Sequence, residues 1–134
     1  MSVFDPLFSK KTTMVTFKYI FLSLFLAFSG LKQLKKLNLD SNNITEIKAF
    51  AFKGLSDLIE ISVQNNPIKI LSSFAFAGIR NVSSLMLGHN QLNVIEKSAF
   101  AATEMIQMLI LNNNPIKVCI YIYSQFSLRF KSVF

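Results

Sequence analysis

The residue types that most often carry catalysis are scarce and scattered in this 134-residue sequence. His89 is the single histidine and Cys119 the single cysteine, and no nucleophile stands beside a base that would activate it. One cysteine permits neither an intramolecular disulfide nor a zinc-ligand cluster, and the four glycines form no phosphate-binding loop. The acidic pair Asp57 and Glu60 is interpreted as solvated surface. We therefore predict a non-enzymatic protein with no catalytic residue, cofactor or metal, in which His89 is a surface or partner contact.

Asparagine is the polar residue that recurs at regular positions in the sequence. Asparagines recur at intervals of 24 residues, at Asn42, Asn66, Asn90 and Asn114. An amide side chain both donates and accepts hydrogen bonds, so stacked asparagines can bond to turn backbone in their own and in neighbouring coils. Each backbone group served in this way would cost about 1–3 kcal/mol if it were buried unpaired. We predict that these four residues form a structural ladder.

The asparagines belong to a repeated segment with the pattern apolar-x-x-apolar-x-apolar-x-x-Asn-x-apolar. Four copies start at residues 34, 58, 82 and 106. Alternate residues such as Leu37 and Leu39 point to the same side of a short strand, so the period predicts stacked coils with one parallel strand in each. A phenylalanine recurs at the same interval, and we expect this column to fill the convex side: Phe28, Phe52, Phe76 and Phe100.

These copies resemble the "typical" leucine-rich repeat of extracellular proteins, whose usual pattern is LxxLxLxxNxLxxLpxxaFxxLxx. A further apolar position of that pattern is occupied by Ile47, Leu71 and Ile95. The resemblance covers residues 27–116 and is nearest to the repeats of Toll-like receptors and of matrix and adhesion proteins. It implies an α/β solenoid with short parallel β-strands on a concave face and an irregular or short-helical convex side.

In solenoids of this family the side chains between the apolar strand positions face outward on the concave side. Polar and charged residues fill the first columns of this face, whereas Met86, Met108 and Ile110 make its other end apolar. That end is either a partner site or a surface that a further coil or the C-terminal tail covers. We predict that the concave face binds a protein ligand or a matrix component through Lys36, Asn38, Asp40, Glu60, Ser62, Gln64, Ser84, Met86, His89, Met108, Ile110 and Asn112.

The net charge of +7 is concentrated in the flanks of the repeats. Residues 34–117 contain eight Lys or Arg and six Asp or Glu, and no basic stripe with interleaved aromatic residues runs through them. Nucleic acid is therefore excluded as a partner.

Residues 1–26 precede the repeat phase. The segment AFSGL at 27–31 matches AFKGL at 51–55, so it is the tail of a preceding repeat. Upstream of it, the segment that begins at Met14 has a lysine, about ten apolar residues and small residues at cleavage offsets, Ala27 and Ser29. This apolar run is shorter than the ~20 residues that span a bilayer. Three interpretations stay open: a signal peptide, a degenerate first coil that covers the end of the core, or a gene-model or splicing artefact.

The repeat array ends at residue 117, and residues 118–134 form a hydrophobic, basic tail that leaves the phase. Its segment NPIKVC differs from the cysteine-rich cap of the family, because Ile116 replaces tryptophan and Cys119 comes one place late. We expect the tail either to add an edge strand or to pack loosely. Because neither end supplies a polar cap, the chain resembles a fragment of a longer array.

Two glycosylation sequons occur, NIT at Asn43 and NVS at Asn81. With the export-like segment they favour a secreted or cell-surface protein that meets a membrane only through a signal peptide or an anchor outside this sequence. We predict a non-enzymatic protein-interaction module of a receptor, adhesion or matrix protein. The alternatives are a cytoplasmic leucine-rich repeat scaffold and a truncated product without an independent function.

Overall fold

The chain winds into a solenoid whose inner face is one parallel sheet. The computed structural model describes residues 31–117 and two short flanking strands, β1 (Met14–Thr16) and β9 (Lys131–Val133). Four further strands complete the sheet, in the order β1-β2-β4-β6-β8-β9: β2 (Lys36–Asn38), β4 (Glu60–Ser62), β6 (Asn81–Met86) and β8 (Met105–Ile110). Because each repeat supplies one strand, the predicted solenoid is confirmed.

The central strands keep the register that the 24-residue period predicts. Leu37 pairs with Ile61, Ile61 with Leu85, and Leu85 with Leu109. The flanking strands join the same sheet with shorter spacings, since Val15 pairs with Leu37 and Leu109 pairs with Ser132. The backbone at 131–133 thus runs beside β8 as an additional strand, one of the two arrangements expected for the tail.

A second, smaller sheet lines the convex side of the coils. It consists of three two-residue parallel strands, β3 (Glu46–Ile47), β5 (Ile70–Leu71) and β7 (Val94–Ile95). Turns connect these strands to the next coil, and no helix occurs among the residues that the structure describes. The resemblance implied either an irregular or a short-helical convex side. The described residues there form turns and two-residue strands, so the convex side is the non-helical one.

The core lies between the two sheets and is almost entirely apolar. Leu37, Ile61 and Leu85 from the concave strands are at most 2% exposed. The predicted phenylalanine column is present over three coils. The ring centroids of Phe52 and Phe76 lie 5.5 Å apart, and those of Phe76 and Phe100 lie 5.3 Å apart, with nearly parallel planes. Phe28, the fourth predicted member, lies outside the described residues, as does Cys119.

The turn after each concave strand has a residue in the left-handed conformation. Ser41, Asn65, His89 and Asn113 have φ between 54° and 56°, and each directly precedes a ladder asparagine. Asparagine and histidine tolerate this region better than most residues that have a Cβ. This turn directs the ladder side chain that follows it into the coil.

Candidate functional site

The asparagine ladder fixes the edge of the concave face. The Oδ1 atom of Asn66 accepts hydrogen bonds from the backbone nitrogens of Asn42 at 3.0 Å and Ile44 at 3.2 Å, both in the preceding coil. Its Nδ2 donates to the carbonyl of Leu39 in that coil at 3.0 Å and to the carbonyl of Val63 in its own coil at 3.2 Å. One buried amide therefore serves backbone groups on two coils, as the sequence predicted.

The same bonds recur along the column. The Nδ2 atoms of Asn90 and Asn114 each donate to one carbonyl of the preceding coil and to two of their own. Asn42 donates to the carbonyls of Leu39 and Asp40. All four side chains therefore bond to turn carbonyls, and those of Asn66, Asn90 and Asn114 do so on two coils.

The parallel register brings the predicted partner-binding residues onto one face. One row of paired positions contains Lys36, Glu60, Ser84 and Met108, and the next contains Asn38, Ser62, Met86 and Ile110. Lys36, His89 and Met108 are exposed. The half-buried members are Asn38, Asp40, Glu60, Gln64, Ser84, Met86, Ile110 and Asn112. Their role in binding stays a prediction.

Ser62 departs from the expected outward exposure. Only 5% of its surface is accessible, because longer side chains from its own and neighbouring strands surround it. Its Oγ donates to Oδ1 of Asp40 at 2.6 Å and accepts from Nε2 of Gln64 at 3.2 Å. Ser62 therefore forms the floor of this face, and its neighbours form the surface.

The charged groups of the polar half are already engaged with this chain. Nζ of Lys36 lies 2.7 Å from Oε2 of Glu60, across neighbouring strands. Oδ1 of Asp40 accepts from the backbone nitrogen of Gln64 at 2.7 Å as well as from Ser62. The bonds around Asp40 hold Ser62 and Gln64 in place, so this part of the polar half is preorganised, whereas the ion pair of Lys36 and Glu60 is solvent-exposed.

The apolar half lies beside the C-terminal edge of the sheet. Met108 is 40% exposed, while Met86 and Ile110 are half-buried. The backbone of β9 runs alongside, with Lys131 paired to Met108 and Val133 paired to Ile110. Met108 thus stays accessible next to a strand contributed by the tail.

His89 lies at the border of this face among amide side chains. Its Nε2 is 3.1 Å from Nδ2 of Asn113 and 3.4 Å from Nδ2 of Asn112. Gly88 beside it is buried, and a Cβ added there would collide with Oδ1 of Asn112. His89 is therefore an exposed side chain whose described neighbours are neutral amides, and this environment suits a surface or partner contact.

The sequence pattern did not predict that two phenylalanines would be exposed. Phe50 and Phe74 are 44% and 41% exposed and stack with centroids 6.0 Å apart and planes at 2°. Both have positive φ, at 61° and 59°. The backbone nitrogen of Ala51 donates to the carbonyl of Lys48 at 3.2 Å, which makes Phe50 the third residue of a four-residue turn. Positive φ at that place favours glycine or asparagine, so two bulky residues occupy a strained position.

The repeated coils match a known protein-family model. The leucine rich repeat model matches residues 32–92 and 58–116, which together make up well over half of the chain. The chain belongs to the leucine-rich repeat family. A comparison with curated proteins finds no significant match. Leucine-rich repeats are generally protein–protein interaction modules and are typically non-enzymatic, which agrees with the repeated strands and the continuous concave face seen here.

The leucine-rich repeat array exposes both sequon asparagines. Asn43 follows ladder Asn42 and faces solvent, as expected from its place in the turn. Asn81 is also exposed and is the first residue of β6. Strand β6 is longer than β2 and β4 because the backbone pairing with β8 extends back to Asn81 and Met105. Both amides are accessible for modification.

Neither a membrane-spanning helix nor a cluster of metal ligands occurs in the described parts of the chain. Residues 31–117 and the two flanking strands contain no helix with the length and apolarity needed to cross a bilayer. No three His, Cys, Asp or Glu side chains within this part of the chain converge as metal ligands.

Proposed function

We propose that this chain binds a protein ligand or an extracellular-matrix component through its concave sheet, as part of a secreted or cell-surface protein with "typical" leucine-rich repeats. The observation that carries this proposal is the continuity of the face. Outward positions of β2, β4, β6 and β8 lie in one register, and a fixed polar half adjoins an apolar half that contains exposed Met108. Protein interfaces likewise combine apolar and polar areas.

The extracellular part of the proposal has its own support. Asn43 and Asn81 both lie in sequons, and both are exposed. A glycan needs a solvent-facing asparagine. Neither residue is among the predicted contacts of the concave face, so glycans attached there leave the proposed ligand contacts unmodified. The sequence pattern of the repeats also resembles that of secreted proteins.

The experiment compares two exposed apolar residues on opposite sheets. The full chain is immobilised, proteins from conditioned medium and matrix extracts are captured and identified, and their dissociation constants are measured. Met108→Arg changes the concave face, and the matched control Val94→Arg changes the convex strand β7, where Val94 is 46% exposed.

We expect Met108→Arg to weaken binding roughly tenfold, or by about 1.4 kcal/mol, because a charged side chain replaces an exposed apolar contact of the proposed interface. Val94→Arg should bind like the unchanged chain. Equal affinity of the folded Met108→Arg variant and the unchanged chain would reject the concave face as the binding site.

A further inference from the structure

A hollow centred on Ser62 lies in the polar half of the concave face. Ser62 is small and buried, and its register neighbours Asn38 and Met86 rise on either side of it. The hollow is lined by Lys36, Leu37, Asn38, Asp40, Glu60, Ser62, Gln64 and Met86. A short side chain among longer ones leaves space, and here that space opens onto the proposed binding face.

The described residues that line the hollow carry an excess of negative charge. Among them Lys36 is the one cation, and it is paired with Glu60 at 2.7 Å. Asp40 accepts hydrogen bonds from a hydroxyl and a backbone amide, both neutral donors. The ion pairs among the described residues join Lys35 to Asp57 and Lys36 to Glu60, so Asp40 has no cationic partner there. One carboxylate in the hollow is therefore left without a counter-charge.

One wall of the hollow suits an aliphatic chain. Met86 is half-buried at this wall, and Nε2 of Gln64 lies 3.9 Å from its Sδ. Methionine adapts its shape to apolar groups. Long basic side chains combine an apolar stem with a charged head, and they match a site that has a thioether wall and a carboxylate.

We propose that the Ser62 hollow receives an arginine or lysine side chain of the protein ligand. Its cationic head binds the carboxylate of Asp40, and its stem packs on Met86. A charge-assisted bond of this kind is about twice as strong as a neutral one. This inference rests on the proposed function, because it names the chemistry of the ligand for the same concave face.

The test uses three small probes and the full chain with 13C-labelled methionine methyl groups. The probes are acetyl-Gly-Arg-Gly-amide, its lysine counterpart and its citrulline counterpart, which keeps the shape of arginine but has no charge. We expect the arginine or lysine probe to shift the NMR signal of the Met86 methyl in a saturable way. The citrulline probe should bind roughly tenfold more weakly, because it lacks the charge-assisted bond.

Two matched variants locate the effect. Asp40→Asn removes the charge but keeps an oxygen that can accept from Ser62 and Gln64, so the fold should be retained. It should reduce binding of the charged probes to the citrulline level. Glu104→Gln removes an equal charge from an exposed turn residue just before β8 and should change nothing.

Three outcomes would overturn the inference: no shift of the Met86 signal by either charged probe, equal shifts by arginine and citrulline, or unchanged binding in a folded Asp40→Asn variant. These outcomes are separate from failure of the proposed function. If Met108→Arg weakens ligand binding as expected while the probes fail, the concave site stands and the basic-side-chain assignment falls.

Discussion

The backbone nitrogen of Asn42 donates a hydrogen bond to the side-chain Oδ1 of Asn66 at a distance of 3.0 Å. The side-chain amide of Asn66 therefore closes the turn of the preceding coil. The partner residues are 24 positions apart, which equals the repeat length. Because the bond links successive coils, it couples the stability of each coil to its neighbour, as expected for a solenoid. The stacked asparagines therefore hold the concave strands in the register that aligns the proposed binding residues.

Removing the Asn66 amide should destabilise the array strongly. Asn66→Ala leaves the backbone nitrogens of Asn42 and Ile44 and the carbonyls near them without this partner. Unsatisfied buried groups cost about 1–3 kcal/mol each, so we expect a loss of at least ~2 kcal/mol in the free energy of unfolding. Urea denaturation monitored by circular dichroism measures this loss of stability. Asn43→Ala, at an exposed position, is the control and should remain within ~0.5 kcal/mol of the unchanged chain.

The buried and the exposed phenylalanine columns should differ greatly in how much a substitution destabilises the fold. Phe76 is 1% exposed, so Phe76→Ala should cost about 3–5 kcal/mol through the cavity it leaves. Phe74→Asn loses the stack on Phe50 but relieves a left-handed conformation that costs roughly 1–2 kcal/mol for a residue with a Cβ. We expect the second change to be nearly neutral in thermal unfolding. A loss at Phe74 as large as that at Phe76 would contradict this assignment of strain.

The sequence predicts the repeated parts of the fold because each role returns with the same residue type. Leu37, Asn66 and Phe52 were placed correctly from the period alone, since burial in one coil implies burial of the equivalent residue in the next. Phe50 and Phe74 were missed for the converse reason. Their shared residue type extends over only two coils, because the equivalent residue of the next coil is Ser98, and phenylalanine rarely adopts the left-handed conformation.

The site is less predictable than the fold because it depends on differences between coils. The period places Asn38, Ser62 and Met86 in one row, but the hollow arises from their unequal sizes and from bonds across the strands. A strand near Val15 was expected only under the interpretation of a degenerate first coil, and its register differs from that of the repeats, because Val15 lies 22 residues before its partner Leu37. Contacts formed outside the repeat phase leave no periodic signal in the sequence.

Glu96 should titrate below the usual range of a glutamate. Its Oε2 accepts from the backbone nitrogen of Ser73 at 2.6 Å, and this bond, with a further one from the Ser73 side chain, lowers the pKa of the carboxyl from its ordinary value of 4.5. A depressed carboxyl pKa stabilises the fold above the unfolded-state pKa, and the contribution disappears as the pH falls through the folded-state value. NMR titration of the Glu96 carboxyl tests this. A midpoint at or above 4.5 would show that the bond does not form.

Both sequons should carry glycans when the chain passes through a secretory pathway. Asn43 and Asn81 are exposed, so the transferase can reach them once the chain enters that compartment. We expect two mass decrements on treatment with peptide N-glycosidase, one lost in Asn43→Gln and the other in Asn81→Gln. The full chain is expressed in animal cells with a C-terminal tag. Recovery of the chain in the cytosolic fraction without any glycan would favour the alternative of a cytoplasmic scaffold.

The most direct test of the whole account is an experimental structure of the full chain at a resolution that defines side-chain amides. The account predicts one column of four amides at Asn42, Asn66, Asn90 and Asn114, beside a parallel sheet in which Lys36, Glu60, Ser84 and Met108 share one row. A structure in which these amides are dispersed, or in which the row is divided between two faces, would contradict both the fold and the proposed binding surface.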